Sequence, residues 1–117
     1  MKPKLRPEDH DNAGFYYARK KVPSHTLEAL DRYLYCGDKV GGFLSAVLNG
    51  DLFTTFHNAD QRNRDALLEI IQYIWNYFPH TAFGSREKVI QWYKAKHLAE
   101  CREYLRERDL EKPDNNQ

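Results

Sequence analysis

From Asp60 to Phe78 the chain reads DQRNRDALLEIIQYIWNYF, and this stretch decides the fold. Leu67, Leu68, Ile70, Ile71, Ile74, Trp75 and Phe78 leave almost no polar face on a helix wound through them, the pattern of a central helix contacted on several sides. Pro79 ends it, since proline disfavours helical backbone at the residue before it. The rest of the chain is then read as what surrounds this segment.

Upstream, Asn58 is placed to cap the central helix, with Gln61 three residues on as in a capping box. Asp51 caps a shorter turn or two, LFTTFHN, which meets the central helix at an angle. Before it, Gly41 and Gly42 open the segment FLSAVLN. There Phe43 with Val47 and Leu44 with Leu48 form two adjacent apolar rows, and Gly50 ends the run. Ser24 is the expected cap of a helix carrying Leu27, Leu30 and Leu34 at helical spacing, with Glu28 and Arg32 paired outside and Gly37 as its left-handed stop. Phe15 to Lys21, FYYARKK, runs into Val22-Pro23, and both an extended and a loosely helical form stay open for it. Downstream, Ser85 caps a last helix with Glu87 in its first turn. Val89, Ile90, Tyr93, His97, Cys101, Tyr104 and Leu105 keep helical spacing, which carries this helix past Arg108. Beyond His97 the stripe thins and charges crowd the other faces, so the helix is expected to project from the core and pair with another copy.

The expected fold is all-α, a compact bundle of about five helices with a long C-terminal helix and disordered termini. One domain spans 15–112, because 117 residues build one hydrophobic core and not two. The tail 1–14 mixes Pro3, Pro7 and charges of both signs with almost nothing to bury, and the tail 113–117, PDNNQ, is as polar.

Eighteen Lys and Arg against seventeen Asp and Glu leave a net charge of +1, which excludes the uniform field of a non-specific nucleic-acid coat but allows a local basic patch. No apolar run is long enough to cross a bilayer, and MKPKLRPEDHDNAG lacks an apolar signal stretch, so a cytoplasmic location without a membrane partner is expected. In that reducing compartment Cys36 and Cys101 are expected as small core-facing thiols rather than as a disulfide. The histidines and cysteines show no CxxC, HxxxH or HExxH spacing, so no metal is expected. There is no GxSxG, and no cysteine and histidine pair stands in a reactive setting. Asp51 and Asp60 read as helix-start residues rather than as an acid and base pair with Asp65 or Glu69. The chain therefore reads as a binder with no catalytic residues and no cofactor.

Two stretches suit an anion. In GDKVGGFLS, Lys39 precedes Gly41 and Gly42 at a helix start, where free backbone N–H groups and a positive charge favour a negative ligand; the order is not that of a P-loop, and the glycines equally serve a sharp turn and close packing. Arg62 and Arg64 bring further cations to a helix start, in reach of the same ligand or of phosphates. FYYARKK interleaves Tyr16 and Tyr17 with Arg19, Lys20 and Lys21, the mixture of stacking surface and cation used on single-stranded nucleic acid, although the tyrosines could instead cover the core edge. Trp75, Trp92, Phe78 and Phe83 exceed what a small core requires, and such a surplus marks an interface unless one aromatic-rich core absorbs it.

The strings PSHTLEALDRYLYCG, GGFLSAVLNGDLF, NADQRNRDALLEIIQYIWNYFP and FGSREKVIQWYKAK together resemble a group of small phage and prophage proteins. After a tyrosine-bearing first helix, the matching phrases are GGFL-A-VL, at Gly41 to Leu44 with Val47 and Leu48, and AD-x-x-N, at Ala59-Asp60 with Asn63. Y-x-x-N-x-x-P follows at Tyr73, Asn76 and Pro79, then GS-x-x-x-V-x-x-W at Gly84-Ser85, Val89 and Trp92. The resemblance covers about Pro23 to Lys94. The chain departs from the pattern with Phe83, where such proteins often carry tryptophan, and with its charged C-terminal extension. The group has no established activity, so the resemblance implies a helical fold and a phage-related accessory context, and no reaction. With the residue reading, it leads to the expectation of a non-enzymatic accessory protein, homo-oligomeric through its last helix and aromatic surface. Such a protein would bind a host protein or sequester a small anionic, nucleotide-like ligand, as a means of interfering with host defence. The alternative is a nucleic-acid-binding regulator using Arg19, Lys20, Lys21, Arg62 and Arg64, whose binding would weaken steeply with salt.

Overall fold

Helix stops divide this chain more finely than its apolar spacing indicates. In a computed structural model, residues 13–95 and 97–111 are described, and they form eight α-helices and a short 3₁₀ turn, with no strand among the described residues. The helices are α1 (Ala13–Lys21), α2 (Ser24–Cys36), α3 (Gly42–Asn49), α4 (Leu52–Asn58), α5 (Gln61–Asp65), α6 (Leu67–Tyr77), α7 (Arg86–Lys94) and α8 (Leu98–Glu111), with the 3₁₀ turn at His80–Ala82. The all-α class stands, and the count of about five is replaced by eight. Of the two expected tails, 1–12 and 113–117 lie outside the described residues, while Ala13 and Gly14 already belong to α1.

The extra helices come from three interruptions. FYYARKK is helical, because Phe15 and Val22 are both buried and anchor α1 at either end of the stretch. The central segment breaks at Ala66, which separates α5 from α6 and lets each bury its own inward residues: Asn63 from α5, and Ile70, Tyr73 and Ile74 from α6. Its cap is Asp60, whose carboxylate accepts from the Asn63 N–H at 2.8 Å, and not Asn58. Nor is α6 wrapped on all sides. Leu68 and Trp75 are more than 60% exposed and Ile71 40%, because α1 and the core cover one side of the helix only.

The last helix does not run on from Ser85. Ala95 leaves helical backbone, the His97 ring packs 4.5 Å from Trp92, and α8 turns back onto α2 instead of projecting. Tyr104 stacks on Tyr35 at 5.0 Å between ring centres. This return brings Cys101 to Cys36, with 4.6 Å between their Cα atoms, and the two form a disulfide, so the expectation of free thiols is corrected. The reason lies in the packing of α8 back onto α2, which brings two cysteines far apart along the chain together.

Several local expectations hold. Asp51 accepts from the Thr54 N–H and Ser85 from the Lys88 N–H. Gly37 closes α2 with φ +70°, a left-handed conformation, and a Cβ there would also stand 3.3 Å from the Trp92 carbonyl, so this position has two reasons to be glycine. Ser24, by contrast, is the first residue inside α2; the cap position is Pro23. The core joins Leu30, Tyr33 and Leu34 of α2 to Leu44 and Leu48 of α3, Ile70 and Tyr73 of α6, and Val89 and Trp92 of α7. Its polar atoms are paired across elements: the Tyr33 hydroxyl donates to the Ala82 carbonyl at 2.6 Å, and the Trp92 indole N–H to the Tyr33 carbonyl at 2.9 Å. No helix among the described residues is long and apolar enough to cross a membrane.

Candidate anion-binding groove

Helix α1 ends in Arg19, Lys20 and Lys21, where the carbonyl end of a helix favours positive charge. Val22 sinks into the core and Pro23 turns the chain directly into α2, so the start of α2 opens beside that basic end. Pro23 has no side-chain acceptor to give. The first turn of α2 therefore lacks the oxygen that caps α4, α5 and α7, and its N–H groups keep their partial positive charge.

Helix α5 closes the third side. Thr26 and Asn63 hydrogen-bond to each other in a buried setting, which ties α5 to the first turn of α2 and sets Arg62 across from Lys20 and Lys21. The result is an open groove of about 720 Å³ whose polar lining includes Tyr16, Arg19, Lys20, Lys21, Ser24 and Arg62. Leu27 and Ala66 supply apolar surface, and Asp65 is its carboxylate, which already accepts from Gln61 at 2.7 Å. His25 stands near the same helix start, 3.8 Å from Asp60.

The cations of the groove are not equivalent. Arg19 forks onto Asp31 with bonds of 3.1 and 2.7 Å and donates to the Tyr73 hydroxyl at 2.5 Å. Burial works against its charge, but the hydrogen bond and charge of Asp31, together with Tyr73, outweigh burial and hold the guanidinium protonated above its ordinary range. The Tyr73 phenol is itself pushed up, by burial first and then by the Asp31 charge. Arg19 thus pins α1 to α2 and α6, and the exposed cations Lys20 and Arg62 are left to meet a ligand, while Lys21 lines the groove with its ammonium over Tyr17. Tyr16, 47% exposed, offers a ring at the same wall.

Five of the residues singled out from the sequence therefore converge: Tyr16, Arg19, Lys20 and Lys21 from one stretch and Arg62 from another. The others do not join that lining. Tyr17 lies on the other side of α1, under the Lys21 ammonium at 4.4 Å and beside a smaller cleft shared with Glu69, Gln72 and Asn76. Arg64 packs its guanidinium 4.8 Å over the Phe56 ring and donates to the Ala59 carbonyl. Lys39 and Gly41 are exposed at the start of α3, and Gly41 has an ordinary φ of −72°. A Cβ on Gly42 would stand 3.3 Å from the Asn58 amide, so this glycine serves close packing of α3 on the end of α4.

Two features were missed in the sequence. The run KKVPS already shows cations, a proline and a helix start in succession, and from it the uncapped first turn of α2 could have been read. The second, foreseen only through Trp75 among the surplus aromatics, is the outer face of α4 and α6, where Leu52, Phe53, Phe56 and Leu68 are exposed with it, whereas Trp92 and Phe78 lie in the core. Among the described residues no three His, Cys, Asp or Glu side chains converge to hold a metal ion. The groove offers cations, hydroxyls and open N–H groups, which is chemistry for holding negative charge. No protein-family model matches the chain, and neither a curated protein nor a solved structure matches it.

Proposed function

We propose that this chain is a non-catalytic binding protein that takes a phosphate-bearing ligand of nucleotide size in the groove between α1, α2 and α5. The observation that carries the reading is the convergence of Lys20 and Lys21 with Arg62, from segments 41 residues or more apart in the chain, around the uncapped start of α2. A volume of about 720 Å³ falls within the ~300–1,000 Å³ of small-molecule sites, and a ring at Tyr16 beside cations fits a base joined to phosphate. The resemblance to phage and prophage proteins supplies the setting: an accessory protein that sequesters such a ligand or, by the same groove, blocks a host factor that uses it.

The test is isothermal titration with pyrophosphate and with adenosine nucleotides, on the wild type and on Lys20→Glu and Arg62→Glu. Each charge reversal removes a charge-assisted contact worth about 1.5–3 kcal/mol, so affinity should fall by at least ~10-fold per variant. Equal binding by wild type and both variants would place the ligand elsewhere.

A second reading, a single-stranded nucleic-acid binder, is favoured by the exposure of Tyr16 next to three basic residues. It predicts affinity that grows with oligonucleotide length and falls linearly in log–log form with salt, with a slope of about −0.7 per phosphate contacted. A mononucleotide bound as tightly as an oligonucleotide decides for the first reading.

A further inference from the structure

The outer face of α4 and α6 is apolar where a solvated face would be polar. Leu52, Phe53 and Phe56 project from α4 and Leu68, Ile71 and Trp75 from α6, at exposures of 40–83%. At about 200 Å² for a large side chain, they present roughly 700 Å² of apolar surface. That exceeds the ~300–600 Å² of the largest patch on an ordinary monomer and approaches the ~800 Å² that each partner buries in a standard interface.

Between the two helices lies a cleft of about 200 Å³ lined by Val47, Leu52, Ile71, Ile74, Trp75 and Phe83. An apolar cavity of ~150 Å³ admits benzene, so the cleft has room for one aromatic ring. Phe53, one residue along from the cleft wall at Leu52, is 83% exposed and is the most exposed large hydrophobic side chain among the described residues. Each copy thus carries both a projecting ring at Phe53 and an apolar cleft, and a two-fold interface requires that each copy offer both.

Charge follows the same symmetry. Helix α4 begins at the carboxylate of Asp51, and hydrogen bonds from Thr54 hold that carboxyl below its usual range. Its last turn carries His57, with Arg64 over the Phe56 ring. When two copies of α4 lie antiparallel, the acidic end of each meets the basic end of the other. A net charge of +1 adds almost no repulsion between whole chains.

We infer that the α4–α6 face is the contact surface of a symmetric homodimer in which Phe53 of each copy fills the cleft of the other. It keeps the expected pairing through an aromatic surface but moves it from the last helix, which packs on α2, to α4 and α6. The groove takes no part in the contact, so the dimer stands or falls apart from the ligand reading.

Sedimentation equilibrium of the full chain tests it. The wild type should sediment as twice its 13.9 kDa at about 10 μM and above. Phe53→Glu should weaken association by about 30-fold or more, the effect of losing an interface anchor. Leu68→Glu, at the far edge of the patch, provides the same readout should Phe53→Glu fail to fold, as judged by circular dichroism. A wild type that stays monomeric overturns the proposal and leaves the face to another protein. A dimer that neither variant loosens overturns it as well.

Discussion

Replacing Asp31 by Asn asks whether one ion pair holds the basic helix in place. Asp31 is 7% exposed and accepts both arms of the Arg19 fork, while Arg19 also reaches the fully buried Tyr73. The substitution keeps the volume and one acceptor but removes the charge, so the Arg19 cation is left in a partly dry site. Breaking a buried pair from one side costs ~3–5 kcal/mol. The retained acceptor, and the 24% exposure of the Arg19 side chain, put the expected loss at the lower end, about 3 kcal/mol. Phe15, buried to 1%, is a separate anchor and should keep α1 docked, so the variant folds but less stably. Urea unfolding followed by circular dichroism at neutral pH measures this, with an unchanged slope and a lower midpoint. The triple variant Arg19→Met, Asp31→Leu and Tyr73→Phe should recover most of the loss, since apolar groups then replace the buried pair and the hydroxyl bonded to it at little cost. A loss below ~1 kcal/mol for Asp31→Asn, which is within the range of a surface pair, refutes the reasoning.

Other consequences are open to measurement. Burial raises the phenols of Tyr33 and Tyr73, so the fold keeps two protons that the unfolded chain releases above pH ~10. Stability is then complete below that pH and falls by about 1.4 kcal/mol per tyrosine for each unit above it; melting temperatures that stay level from neutral pH to 11 contradict this. Cys36 and Cys101 close a loop across 65 positions, and loop-closure entropy assigns such a bond ~4 kcal/mol. Cys36→Ser with Cys101→Ser should therefore lower the urea midpoint, and an unchanged midpoint would show that α8 holds without the bond. Asn63→Ala leaves the buried Thr26 hydroxyl without the Asn63 carbonyl oxygen it donates to, at ~1–3 kcal/mol, and should also weaken pyrophosphate binding although no charge is lost. Full-strength binding by that variant would show that Arg62 is not positioned through Asn63.

What was legible in the sequence depended on near neighbours. Gly37, Asp51 and Ser85 act within one helical turn, and each stands where its local chemistry places it. Periodicity misled where it ran across a break. The stripe from Val89 to Leu105 keeps helical spacing through Ala95, because spacing counts residues and is blind to the non-helical ψ of 141° at Ala95. The cysteine pairing was hidden for the same reason, being a consequence of that turn. On α6, Leu68 and Trp75 read like Ile70 and Ile74, and only the placement of α1 on one side decides which are covered. Each half of the groove was visible as a basic cluster, but their union depends on the Thr26 to Asn63 bond, between residues 37 apart.

That bond also governs how the two proposed surfaces relate. Helix α5 has five residues, and three in succession point three ways: Arg62 into the groove, Asn63 onto Thr26, and Arg64 over Phe56 at the edge of the apolar face. Successive helical side chains lie ~100° apart, so α5 is a wall with one surface on each side and its own anchor between them. A ligand drawing on Arg62 could move Arg64 only by rotating α5, and rotation would break a buried hydrogen bond between two side chains that are each at most 6% exposed. The two surfaces should therefore act independently, with Arg62→Glu and Phe53→Glu additive in both ligand affinity and dimer dissociation. A coupling well above the ~0.5 kcal/mol expected of independent sites would mean that α5 turns, and that binding at the groove and pairing of copies are one linked equilibrium.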